Sequence, residues 1–114
     1  MKEPIPRQVD RFDGLIVFGG PMSANDDHLQ GIRTELQLIE RWMHRDRPIW
    51  GICLGAQLMT RVLGGVVYTH PSEQVEVGWY PIDPVGPGKR IFTPLTHVYQ
   101  WHREGFELPR GASG

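Results

Sequence analysis

Two short apolar runs, each carrying glycine and each followed by helix-compatible sequence, constrain this chain more than any other feature. "GLIVFGG" (14–20) is rich in β-branched residues and closes on paired glycines, and "IWGIC" (49–53) follows Pro48. Runs of this length and composition are expected of strands buried on both faces, which belong to parallel sheets. Between them "PMSANDDH" (21–28) reads as a polar loop. Leu29, Ile32, Leu36, Ile39 and Met43 then recur at helical spacing and form one apolar stripe. Asp26 and Asp27 near its start and His44, Arg45 and Arg47 at its end suit the helix dipole. "LGAQLMTRVLGG" (54–65) is a second, shorter helix stopped by Gly-Gly. Strand, helix, strand, helix predicts a three-layer α/β sandwich with a mostly parallel sheet.

The remainder has another texture. "VVYTH" (66–70) is a short strand. In "QVEVGWYPI" (74–82) Val75, Val77 and Trp79 alternate with Gln74, Glu76 and Gly78, as in a strand whose apolar side alone is covered. "DPVGPGK" reads as a turn and "HVYQWH" (97–102) as one more strand. Residues 1–13 read as a polar surface segment, and "LPRGASG" holds no finishing element. At 114 residues the chain is expected to be a single domain. With 39% hydrophobic residues, its 14 glycines and 10 prolines mean turns rather than disorder.

A net charge of −1 with scattered basic residues offers no electrostatic footprint for nucleic acid or an anionic membrane, so neither is expected as a partner. One cysteine cannot form an internal disulfide, which favours a reducing compartment, and with no apolar leader in "MKEPIPRQVD" a cytoplasmic location is expected. No metal is expected. Asp26, Asp27 and His28 suit a solvated helix start, and His44, His70 and His97 lack ligand spacing. Trp42, Trp50, Trp79 and Trp101 read as core or pocket wall.

The single cysteine stands in Gly51-Ile52-Cys53-Leu54-Gly55, at the junction of an apolar run and a helix. A nucleophile at such a turn projects from the carboxyl edge of the sheet, where open α/β folds keep their sites. The helix N-terminus behind it favours the thiolate, and the glycines let neighbouring backbone approach. An acyl-transfer centre also needs donors for an oxyanion. The N–H of Leu54 is one candidate, and the "FGGPM" loop after the first strand offers a second.

"GLIVFGGPMSANDD", "PIWGICLGAQLM", "EVGWYPI" and "WHREGFELPRGA" resemble, in order and spacing, successive blocks of class I glutamine amidotransferases, in particular the stand-alone group similar to the glutaminase domain of GMP synthase. The resemblance implies a flavodoxin-like fold, no cofactor, and attack by Cys53 on the side-chain amide of glutamine to give a γ-glutamyl thioester and ammonia. It implies that Gly20 and Leu54 donate to the oxyanion, that Gln57 helps hold glutamine, and that the backbone of Gln100, Trp101 and His102 touches the substrate's amino-acid end. A synthetase or other acceptor would use the ammonia.

His102 and Glu104 form an H-x-E, but their surroundings match an upstream block of the family, in which the catalytic His and Glu follow a later strand. His102 is therefore expected to be a structural or pocket-wall histidine. By the same comparison the chain is expected to be a partial domain, incomplete at both ends, with exposed edges that favour self-association. Two alternatives remain: a non-catalytic remnant that binds glutamine or a partner, and a nucleophile-elbow hydrolase similar to dienelactone hydrolases.

Overall fold

The structure, a computed structural model, describes residues 4–72 and 75–112. After a 3-10 turn at Val9–Arg11, the elements are β1 (Leu15–Val17), α1 (Gln30–His44), β2 (Ile49–Gly51), α2 (Leu54–Val62), β3 (Val67–Thr69), β4 (Glu76–Pro81), α3 (Gly88–Phe92), β5 (His97–His102) and β6 (Glu104–Phe106). Gln74, expected to open the alternating strand, and the last residues of "LPRGASG" lie outside the described residues.

β1 and β2 pair in parallel, Leu15 opposite Ile49 and Val17 opposite Gly51, with α1 as the crossover. The remaining strands form two antiparallel pairs, β3 with β6 and β4 with β5. The expected mixture of helix and strand is present. Its parallel part is confined to β1 and β2, which the long helix α1 joins as a crossover.

The core lies between the parallel pair and the helices. Ile32 and Ile39 of α1, Leu54 and Leu58 of α2, Ala24 and Val67 are buried together, with Val17 and Ile49 packed against them. Trp42 is buried beside this cluster, and its indole N–H donates to the Pro48 carbonyl at 2.8 Å. Asp46 takes a positive φ of 52° after α1, a conformation its short polar side chain tolerates. α2 ends in a Schellman motif: Gly64 at φ 83° and Gly65 donate to the carbonyls of Arg61 and Thr60.

Three sequence expectations are corrected. β1 and β2 are covered on one face only. Leu15, Val17, Ile49 and Gly51 turn toward the helices, whereas Ile16 and Trp50 are each 51% exposed, since no described residue packs over them. Along β4 the apolar Val77 and Trp79 are exposed and Gly78 and Tyr80 are the more buried pair, the reverse of the expected side. Asp26 and Asp27 precede α1 rather than serve its dipole: Asp26 accepts from the Ser23 N–H at 2.9 Å, and Asp27 pairs with Arg61 at 2.6 Å. Arg61 also donates to the Ala24 carbonyl, so these contacts fasten the loop to α2. Two short elements, α3 and β6, carry no periodicity long enough to announce them.

Candidate active site

The site grows from the turn between β2 and α2. Ile52 donates its N–H to the Val17 carbonyl at 2.9 Å, extending the parallel ladder one residue past β2. The chain then reverses at Cys53, whose φ of 56° and ψ of −115° lie where a side chain is rarely found. Such a conformation costs on the order of 1–3 kcal/mol and persists only where its surroundings impose it. Here they do. A Cβ on Gly55 would stand 2.0 Å from the Val17 carbonyl oxygen, and one on Gly51 would stand 2.7 Å from the Ala56 nitrogen. α2 can therefore start against the strand ends only if both positions are glycine.

The elbow brings two loops together. A Cβ on Gly19 would lie 3.1 Å from the Cys53 Cβ and 3.6 Å from its Sγ, and one on Gly20 would lie 3.3 Å from Leu54. The Gly-Gly-Pro loop after β1 thus runs beside the thiol. Leu54 is the first residue of α2, so its N–H has no partner within the helix. Cys53 itself is exposed and opens onto a cleft of about 760 Å³.

Gly20, Cys53, Leu54, Gln57, Trp101 and His102 all line this cleft. Gln100 does not; its side-chain carbonyl oxygen lies 2.6 Å from Nε2 of His102 and buttresses that ring instead. Gln57 is nearly buried and donates from Nε2 to the Glu104 carbonyl at 3.3 Å. His102 has both ring nitrogens engaged, Nδ1 with the Glu104 carbonyl at 3.2 Å and Nε2 with Gln100 and with Glu76 at 2.8 Å. Among the described residues neither nitrogen hydrogen-bonds Cys53.

Sequence reasoning did not assign two cleft residues that the structure brings forward. Glu104 has a carboxylate oxygen, Oε2, that is buried and without a hydrogen-bond partner among the described residues. Asp26 lines the same cleft from the opposite loop. A buried, unpaired acid suits a cationic group of a ligand. The H-x-E spacing drew attention to Glu104, but only the fold shows its oxygen turned inward. Among the Trp expectations, Trp42 is core and Trp101 is pocket wall, while Trp50 and Trp79 are exposed. Among the described residues no group of three His, Cys, Asp or Glu side chains is placed to hold a metal, and no helix is long and apolar enough to cross a membrane.

Residues 1–112 match the family model for glutamine amidotransferase class-I. The chain belongs to the class I glutamine amidotransferases. It is 37% identical over 112 residues to YfeJ, a glutamine amidotransferase-like protein of Salmonella typhimurium, covering 90% of this chain and 46% of that protein. It is 33% identical over 102 residues to a glutamine-hydrolyzing GMP synthase of Lactobacillus acidophilus, covering 89% of this chain and 18% of the synthase. The crystal structure of a glutamine amidotransferase from Thermotoga maritima superposes with a TM-score of 0.83 at 34% identity, over 97% of this chain and 49% of that one. This amidotransferase chain thus spans about half the length of YfeJ and of the Thermotoga protein. The likeness to class I amidotransferases extends along nearly all its described residues, which sets aside the dienelactone-hydrolase-like reading.

Proposed function

We propose that this chain carries the glutamine-binding and nucleophile-bearing part of a glutaminase site. The observation that carries this reading is Cys53, held at positive φ between two glycines that cannot bear a side chain, beside the Gly19-Gly20 loop and open to the cleft. The Cys53 thiolate attacks the side-chain carbonyl carbon of glutamine. The oxyanion that forms accepts hydrogen bonds from the N–H groups of Gly20 and Leu54. The C–N bond then breaks, the nitrogen takes up a proton and leaves as ammonia, and the γ-glutamyl group stays on sulfur as a thioester. Water cleaves the thioester, releasing glutamate and restoring the thiolate. Gln57 and the inward carboxylate of Glu104 hold the amino-acid end, Glu104 facing the α-ammonium. Ammonia passes to an acceptor that a synthetase or other partner provides.

His102 is not the base in this reading, because both its nitrogens are already engaged. The same observation favours a second reading, in which the chain binds glutamine without turning it over. One experiment separates the two. The purified chain is incubated with glutamine and assayed for ammonia, and in parallel with 6-diazo-5-oxo-L-norleucine, a glutamine-shaped diazoketone that alkylates a thiol with loss of N₂. Glutamine-protected labelling of Cys53 is expected, and it should vanish in Cys53→Ala. Ammonia release at many turnovers per chain would decide for the enzyme, and labelling without turnover for the binder. Labelling that glutamine does not slow would overturn both.

A further inference from the structure

β5 ends at His102 and β6 begins at Glu104, yet the two strands belong to different sheets, β5 pairing with β4 and β6 with β3. One residue, Arg103, carries the chain across. A junction at the ends of two elements is the kind of place where a hinge can absorb a change in φ and ψ.

His102 bridges them. Its Nδ1 meets the Glu104 carbonyl on β6, and its Nε2 meets Gln100 on β5 and Glu76 on β4. Glu76 sits directly opposite His102 in the β4–β5 register. The Glu104 carbonyl takes a second bond from Gln57, one helical turn beyond Cys53 on α2. A single imidazole therefore ties three strands together and, through the shared carbonyl, ties them to the helix that bears the nucleophile.

We infer that His102 is a positioning residue for the glutamine site, acting through the Glu104 main chain on Gln57 and Glu104, and that Glu76 acts through His102. This rests on the reading that Gln57 and Glu104 face the bound glutamine. A partly exposed contact such as that between His102 and Glu76 adds little stability by itself. Its effect comes from its place. Movement at Glu104, a residue of the cleft wall, displaces together the carbonyl that holds Gln57 and its own buried, unpaired carboxylate oxygen, and misplacement by about 1 Å can cost ~100-fold in a site of this kind.

The test compares alkylation of Cys53 by 6-diazo-5-oxo-L-norleucine, which has the amino-acid end of glutamine, with alkylation by iodoacetamide, which lacks it. The whole chain is used, with thermal melts confirming that each variant folds. His102→Ala and Glu76→Ala should lower the diazoketone rate about tenfold and leave the iodoacetamide rate unchanged. Glu76→Gln, which keeps an acceptor opposite Nε2, should restore most of the loss. An unchanged ratio of the two rates in both alanine variants overturns the inference. If the unaltered chain shows no preference for the diazoketone, the glutaminase reading fails, and hydrogen exchange then judges the link separately. Faster exchange at the Gly105 and Phe106 amides in Glu76→Ala supports it, and unchanged exchange overturns it.

Discussion

The two halves of the described chain use the same kinds of apolar residue to opposite effect. From Val9 to Val67 the large side chains close a core, and every buried hydrophobic residue lies there. From residue 75 to 112 none of the described residues is buried. Trp79 is 71% exposed and Trp101 75%, and together with Val77 and Tyr99 they form one bare face of the β4–β5 hairpin, the Trp79 and Tyr99 rings meeting edge to face. The difference is one of layers rather than composition. α1 and α2 lie against β1 and β2, while α3 is too short to cover a sheet face. An apolar strand face stabilises a fold only if another element reaches it.

The contrast can be broken most severely at the elbow. Gly55→Ala drives a methyl group into the Val17 carbonyl, and the expected result is loss of cooperative unfolding in a thermal melt, with Cys53 no longer labelled selectively. Second in size, Leu58→Ala or Ile39→Ala in the packed half should cost about 2–5 kcal/mol in denaturant unfolding. Trp79→Ala in the bare half should stay within about 0.5 kcal/mol. Equal losses in the two halves would mean that the hairpin face is covered in solution. Trp79→Ser with Tyr99→Ser should also reduce self-association in sedimentation, since the bare face combines several large apolar side chains.

The smallest expected effect is electrostatic and again confined to the packed half. Burial raises the Glu35 carboxyl above its ordinary value. The folded state therefore holds that proton more tightly than the unfolded one. The resulting penalty is absent at low pH and complete once pH has risen through the folded value. Glu35→Gln should remove this loss and raise the melting temperature slightly at neutral pH, the effect being reduced by solvent because the residue is only partly buried. Asp10 has the opposite sign. A hydrogen bond from Arg45 lowers its carboxyl, so its contribution is present above the usual carboxylate range and lost as pH falls through the folded value. Asp10→Asn should flatten the acid limb of a stability profile by lowering stability slightly at neutral pH, with strongly acid pH nearly unchanged.

Local rules made much of the packed half legible in advance. Ile32 and Ile39 reveal α1 because a 3.6-residue period needs no distant partner. Gly51, Cys53 and Gly55 reveal the elbow because its sterics are decided within five residues. They also mark Cys53 as the candidate nucleophile. Val77 and Trp79 misled for the converse reason: alternation shows that a strand has two faces but not which one a neighbour will cover. Glu104 was visible as half of an H-x-E, yet its inward oxygen depends on β6 pairing with β3, whose Val67 and Phe106 are far apart in sequence.

The sequence by itself thus determined a helix stripe, a strand-to-helix elbow and a cysteine at its apex, since each is settled by sterics and periodicity over a few residues. Tertiary structure alone decided that Gln57 on α2 would share the Glu104 carbonyl with His102, and that Glu76 would meet His102 across the hairpin. Those contacts join residues far apart along the chain. Hydrogen bonds between such residues form only after the sheets and helices have set their positions, and no local pattern encodes them.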